Sequence, residues 1–158
     1  MEWVILQPTA FMEIWLSPQL GWDLSRGRVR VFGDGRKRTS LVSLEDVADW
    51  AVVAALAPEL AGRVLPVCGP DPLSPLEIVR MAEEVTRRTF RVRHIPLPLV
   101  KAAVSLLRRP NPILSSLLLI GIGSAERGEV LATPGEGDGL PPPRVTVRAF
   151  LERIAGAA

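Results

Sequence analysis

The sequence predicts a single α/β domain over residues 1–158, and three observations carry the prediction. Strand-like runs alternate with stretches of helical periodicity along most of the chain. Two of the helical stretches open on strong start signals, Ser43-Leu44-Glu45-Asp46 and Ser74-Pro75-Leu76-Glu77. At 158 residues and 47% apolar content, the chain can bury one sizeable core.

The first element is residues 3–7, which read as a buried strand on the apolar run Trp3-Val4-Ile5-Leu6, broken at Gln7-Pro8. Thr9 to Leu16 reads as a short helix with Phe11, Met12, Trp15 and Leu16 on one apolar face, closed by Ser17-Pro18. A polar stretch leads to Arg28-Val29-Arg30-Val31-Phe32, which alternates as a half-buried strand. Gly33-Asp34-Gly35 then supplies the positive-φ residues of a tight reversal, and Leu41 and Val42 form a short extended piece.

Ser43 can accept from the third helical N–H while Asp46 reaches back, and Glu45 and Asp46 both favour the positive end of the helix dipole. Leu44, Val47, Ala48, Ala51, Val52 and Ala55 make the predicted buried stripe of that helix, which runs to about Ala57. Arg63 to Cys68 reads as a strand and Gly69-Pro70-Asp71-Pro72 as a loop. The Ser74 start, with proline at the first helical position and glutamate at the third, opens a helix to about Arg88. Phe90 to Ile95 alternates as a strand, Leu99 to Leu107 follows as a helix, and Pro110-Asn111-Pro112 separates it from a second apolar helix, Ile113 to about Ile120. Gly135 to Pro143 has the composition of a disordered loop, and Thr146 caps a final helix that buries Val147, Phe150, Leu151 and Ile154.

Composition narrows the function. Lys and Arg number 19 against 17 Asp and Glu, a net charge of +2, and the arginines form no basic stripe with interleaved aromatics. Nucleic acid is therefore not an expected partner. One cysteine, Cys68, and one histidine, His94, exclude an internal disulfide and leave no cluster for a metal ion, which fits a reducing cytoplasm. The apolar run from Ile113 to Gly123 is too short to span a bilayer, and that from Ile95 to Leu107 is interrupted by two prolines and Lys101. No basic segment with a cleavage site opens the chain, so neither a membrane partner nor secretion is expected.

Three glycine patterns invite comparison with phosphate loops. Gly33-Asp34-Gly35-Arg36-Lys37 lacks the glycine spacing of a P-loop, Gly121-Ile122-Gly123 has Glu126 where a third glycine is needed, and Gly135-Glu136-Gly137-Asp138-Gly139 carries two carboxylates. All three read as turns or flexible loop. No residue is assigned as catalytic. His94 follows no nearby carboxylate that could orient it, Cys68 lies in an apolar strand with no basic neighbour, and Lys37 and Lys101 read as a solvated turn and a snorkelling side chain.

Four stretches in order resemble the NmrA-like branch of the atypical short-chain dehydrogenase/reductase family. They are Ile5-Leu6-Gln7-Pro8-Thr9-Ala10-Phe11-Met12-Glu13, the Phe32-Gly33-Asp34-Gly35 turn, Val42-Ser43-Leu44-Glu45-Asp46-Val47-Ala48, and Cys68-Gly69-Pro70 with Leu73-Ser74-Pro75-Leu76-Glu77. The resemblance covers essentially the whole chain as that family's second half. It implies the C-terminal half of a Rossmann-like, mostly parallel sheet with a small helical substrate lobe, the glycine-rich first half with its phosphate-binding loop being absent from this sequence.

By the same resemblance, NADP or NAD is the implied cofactor, with Pro8, Thr9, Ala10 and Phe11 beside its nicotinamide ring. Met12, Trp15 and Trp22 are implied to line the substrate pocket, although an apolar face at helical spacing is also what plain core packing produces. The implied activity is hydride transfer to a small carbonyl or quinone-like substrate, by a half that is not active alone. The alternatives are a non-catalytic redox-sensor or protein-interaction module, which the complete lack of tyrosine favours, and a fragment without independent function. The exposed Trp3 to Leu6 edge is expected to allow homo-oligomers. Two departures stand out: Gln7 replaces the arginine often found before the proline, and Arg87-Arg88 replaces a Thr-Gly helix end, removing an expected positive-φ stop.

Overall fold

The alternation of apolar strands and capped helices produces an α/β fold with a largely parallel strand arrangement, as the computed structural model shows for residues 3–134 and 138–156. Strand β1 (Ile5–Pro8) leads through α1 (Met12–Trp15) and a single 3-10 turn, Pro18–Leu20, to the short β2 (Trp22–Asp23) and to β3 (Arg28–Phe32). There follow β4 (Thr39–Ser40), α2 (Leu44–Leu56), β5 (Val64–Val67), β6 (Pro72–Leu73) and α3 (Pro75–Thr86). The last elements are β7 (Arg91–Ile95), α4 (Leu97–Leu107), α5 (Pro112–Arg127) and α6 (Val147–Gly156).

Three strand groups occur among the described residues, the smallest being β4 paired antiparallel with β6. β1 pairs in parallel with β5, Leu6 opposite Leu65, and β7 pairs in parallel with β3, whose other edge takes β2 antiparallel. Parallel neighbours need a crossover, and the helices supply it. One core cluster joins Met12, Trp22, Val29, Val31 and the inner faces of α3 and α6; the other joins Val42, Trp50, Leu60, Leu65, Val67 and Leu140.

The structure departs from the predicted elements at several points, and of the predicted helix from Thr9 to Leu16 only Met12–Trp15 is helical. β1 is mostly exposed instead of buried, because β5 is its only strand neighbour among the described residues. The turn at Gly33 and Gly35 has the expected positive φ, 66° and 70°, but opens no hairpin: β3 finds its parallel partner in β7.

On α2 the predicted stripe is largely turned outward, with Leu44, Ala48, Ala51, Val52 and Ala55 exposed. Asp46, Trp50 and Ala54, at i, i+4 and i+8, face inward instead. A buried carboxylate drives this choice. Ser43 caps the helix by accepting from Asp46 N–H at 3.0 Å, as predicted. The Asp46 carboxylate, however, does not reach back to the backbone: it accepts from the Ser43 hydroxyl at 2.9 Å and from the N–H groups of Arg144 and Val145 at 2.9 and 3.2 Å.

Gly121 and Gly123 lie inside α5, not in a turn, and that helix runs seven residues beyond the predicted Ile120, to Arg127. The positive-φ stop of α3 is present after all, adopted by Arg87 at φ 53°. The Ser74 box forms in full, Glu77 N–H donating to Ser74 Oγ at 3.3 Å and Ser74 N–H to Glu77 at 2.8 Å. Of the Gly135 to Pro143 stretch, Gly135, Glu136 and Gly137 lie outside the described residues.

Candidate functional site

The carboxyl end of β1 brings the chain to the site. Thr9 N–H donates to Val67 O at 3.0 Å and the buried Thr9 hydroxyl to Ser40 O at 2.5 Å, which ties this residue to both flanking segments. The chain then runs extended beside Val42, whose N–H donates to Ala10 O at 3.0 Å and whose carbonyl accepts from Met12 N–H at 2.9 Å. Extended backbone sends successive side chains to opposite sides. Met12 is accordingly fully buried in one core cluster, and Phe11 packs half-buried against the other.

Beyond this point α1 and β2 wall a cavity of about 90 Å³, room for several waters or part of a small ring. Its apolar lining includes Ala10, Trp15, Trp22, Phe32, Leu73 and Ile78, while Arg30, Lys37, Thr39 and Ser124 contribute polar groups. Of the seven predicted site residues, Ala10, Trp15 and Trp22 meet at this cavity. Met12 is a core residue and not part of the lining; Pro8 is exposed at the end of β1.

Sequence reasoning missed the wall supplied by α5. A Cβ on Gly121 would lie 2.9 Å from Phe32 Cε2 and 3.0 Å from Trp15 Cη2, so the missing side chain is what lets the two rings pack against the helix. The legible signal was a glycine inside an apolar run of helical length. Lys37, exposed as predicted, and the exposed Arg30 also line the cavity, and Lys101 is paired with Glu126 at 2.7 Å, which holds that carboxyl below its ordinary range.

The remaining chemically able groups are engaged elsewhere. His94 is exposed on β7 and its Nδ1–H donates to Gly33 O at 2.9 Å. Cys68 is fully buried, and burial pushes its thiol above the usual range, against the opposing effect of the Ser40 hydroxyl. Its S–H points at the carbonyls of Leu131 and Ala132, 3.6 and 3.5 Å away. A neutral, enclosed thiol is a poor nucleophile. No group of three or more His, Cys, Asp or Glu that could hold a metal occurs among the described residues.

Helix starts, the usual anion sites, are mostly filled from within. Leu44 N–H of α2 donates to the Glu13 carboxylate at 3.1 Å, Leu114 N–H of α5 to Asn111 Oδ1 at 3.0 Å, and Val147 N–H of α6 to Asp71 at 3.0 Å. α3 has its own box, and α4 starts on Pro96 with no side-chain cap.

No family model matches the chain. Among curated proteins it is similar to an isoflavone reductase homolog of Zea mays, 32% identical over 117 residues, which cover 71% of this chain and 37% of that protein. Among solved structures it superposes on an NADPH-dependent quinone oxidoreductase from Escherichia coli with a TM-score of 0.74 at 14% identity, covering 98% of this chain and 55% of that one. It also superposes on a triphenylmethane reductase of Citrobacter sp. in complex with NADP(H), with a TM-score of 0.73 at 10% identity, covering 98% of this chain and 53% of that one. The chain thus spans from about a third to about half the length of the relatives it matches. With the order of motifs, the parallel strands and these similarities in agreement, the chain belongs to the NmrA-like branch of the NAD(P)-dependent short-chain dehydrogenase/reductase family and corresponds to its C-terminal part.

Proposed function

We propose that this chain is the substrate-side half of an NAD(P)H-dependent oxidoreductase acting on a small carbonyl or quinone-like compound, and that it works only together with a glycine-rich first half. The observation that carries the reading is the position of the cavity. It adjoins the carboxyl end of β1, and in parallel sheets ligands bind outside the carboxyl ends of the strands. Its largely apolar lining suits a flat organic substrate better than a sugar.

Pro8, Thr9 and Ala10 would then flank the nicotinamide with a rigid backbone, since the Thr9 N–H is already bonded to the Val67 carbonyl and the Ala10 carbonyl to the Val42 N–H. Phe11 would lie beside the nicotinamide, and Trp15 and Trp22 would exclude water and orient the substrate, with Met12 supporting them from the core. A bound nicotinamide supplies the hydride; the contribution of these residues is positioning. The dinucleotide's phosphates would take their donors chiefly from another segment, since the helix starts at α2, α3, α5 and α6 are occupied by the chain's own side chains and that of α4 alone among the longer helices is uncapped. The open edge of β1 is where a first half would add its strands, and in its absence a second copy could pair there.

The reading is tested by co-expressing the chain with the N-terminal part of the maize relative and assaying NADPH oxidation with a panel of quinones and aldehydes. Turnover with Trp15→Ala raising KM supports it; a soluble complex inert towards every substrate favours a dinucleotide sensor, the reading that the lack of tyrosine recommends.

A further inference from the structure

The α4–α5 hairpin carries a feature that the proposed chemistry does not use. Leu106 and Ile113, the residues flanking its tip, are 79% and 75% exposed. Behind them Leu99, one face of α4, and Leu119 and Ile120 on α5 are also more than half exposed. Val100 is the sole large side chain that α4 buries, and α4 packs chiefly against α5. Between the two tip residues stand Arg108 and Arg109, both exposed and without an ion-pair partner among the described residues.

Within the hairpin Lys101 is paired with Glu126 at 2.7 Å, so the uncompensated charge at the tip among the described residues is that of Arg108 and Arg109, and no acidic residue lies between Glu84 and Glu126 in the sequence. A purely apolar partner would leave the arginines unused, and a second copy would bring the same positive charge against itself. An anionic lipid surface satisfies both features, since leucine and isoleucine enter the acyl boundary while arginine heads stay at the phosphates. That no helix among the described residues is long and apolar enough to cross a membrane does not bear on this, because a surface contact needs only one exposed apolar edge.

The hairpin follows β7 and packs chiefly on itself and on β3, whereas β1 belongs to a different strand group, β1–β5. We infer that the tip of the α4–α5 hairpin, through Leu106, Arg108, Arg109 and Ile113, docks the protein on an anionic lipid surface.

The test is co-sedimentation of the chain with vesicles of phosphatidylcholine alone and with vesicles containing roughly one-third phosphatidylglycerol. Binding to the second kind only, weakened by raising salt to about 0.5 M, is expected. Both Arg108→Gln with Arg109→Gln and Leu106→Ser with Ile113→Ser should lower the partition coefficient about tenfold or more. Val52→Ser with Leu56→Ser, equally exposed on α2, should leave it unchanged. All four positions are on the surface, so circular dichroism should show intact folds. Equal binding to neutral vesicles, no binding at all, or binding indifferent to the tip variants would overturn the inference. A dimer that dissociates on Leu106→Ser with Ile113→Ser, without vesicle binding, would overturn it too and assign the face to a second copy.

Discussion

Asp46 accepts a hydrogen bond at 2.9 Å from the backbone N–H of Arg144, 98 residues further along the chain. The same carboxylate holds Val145 N–H and the Ser43 hydroxyl, while Trp50 Nε1–H donates to Pro141 O at 2.7 Å. A C-terminal segment is thereby strapped across α2, with Leu140 buried beneath it.

Removing the strap's anchor should be costly. Asp46→Ala leaves two amide donors unpaired at a site 2% exposed and should destabilise the fold by roughly 2–4 kcal/mol. Asp49→Ala, which removes only an exposed ion pair with Arg144, should cost under about 1 kcal/mol. Urea denaturation measures both. Equal effects would mean that the buried hydrogen bonds do not hold the segment.

The two glycines of α5 should respond with opposite signs. Gly123→Ala meets only the flexible end of Arg127, at 3.1 Å, and should gain up to about 1 kcal/mol of helix propensity. Gly121→Ala drives a methyl into Phe32 and Trp15 and should lose roughly 1–3 kcal/mol while shifting the tryptophan fluorescence. Thermal melts of the two variants settle the matter; a stabilised Gly121→Ala would show that the cavity wall is not tightly packed.

Arg87 holds a left-handed conformation that glycine adopts without steric cost. Arg87→Gly should therefore raise stability by roughly 0.5–1 kcal/mol, and Arg87→Ala should not. A loss of stability in the glycine variant would mean that the arginine side chain makes a compensating contact.

Part of the acid sensitivity should trace to one helix start. The hydrogen bond from Ser74 N–H, then the Arg38 guanidinium and the Ser74 hydroxyl, hold the Glu77 carboxyl at about 2 against an ordinary 4.5. A depressed folded-state value contributes stability that is complete above pH 4.5 and is lost as pH falls towards 2. Because the site is exposed, the contribution is modest. Glu77→Gln should flatten the urea midpoint over that window; an unchanged pH profile would place the acid response elsewhere.

What the sequence made legible was local. β3 stands where its alternation predicts it, Arg28–Phe32, and the Ser74 box and the buried Val147, Phe150 and Leu151 of α6 follow directly from spacing. Elements fixed by distant partners were not legible. β2, β4 and β6 are two residues each and exist only through their neighbours. The inward face of α2 is set by a carboxylate whose partners lie at 144 and 145, which an apolar pattern cannot register. At the site, Trp15 and Trp22 were nameable by family resemblance, whereas Arg30, Lys37 and Gly121 reach the cavity only through tertiary packing.

The central claim, that this chain completes a nicotinamide site whose phosphate anchor lies on another half, is tested most directly by titrating NADPH into the chain alone and into its complex with the N-terminal part of the maize relative, following cofactor fluorescence. The account predicts no measurable binding to the chain alone, saturable binding to the complex, and weaker binding with Phe11→Ala or Trp15→Ala but not with the exposed His94→Ala. Tight binding of NADPH by the chain alone, or a complex in which all three variants bind as the parent does, would contradict it.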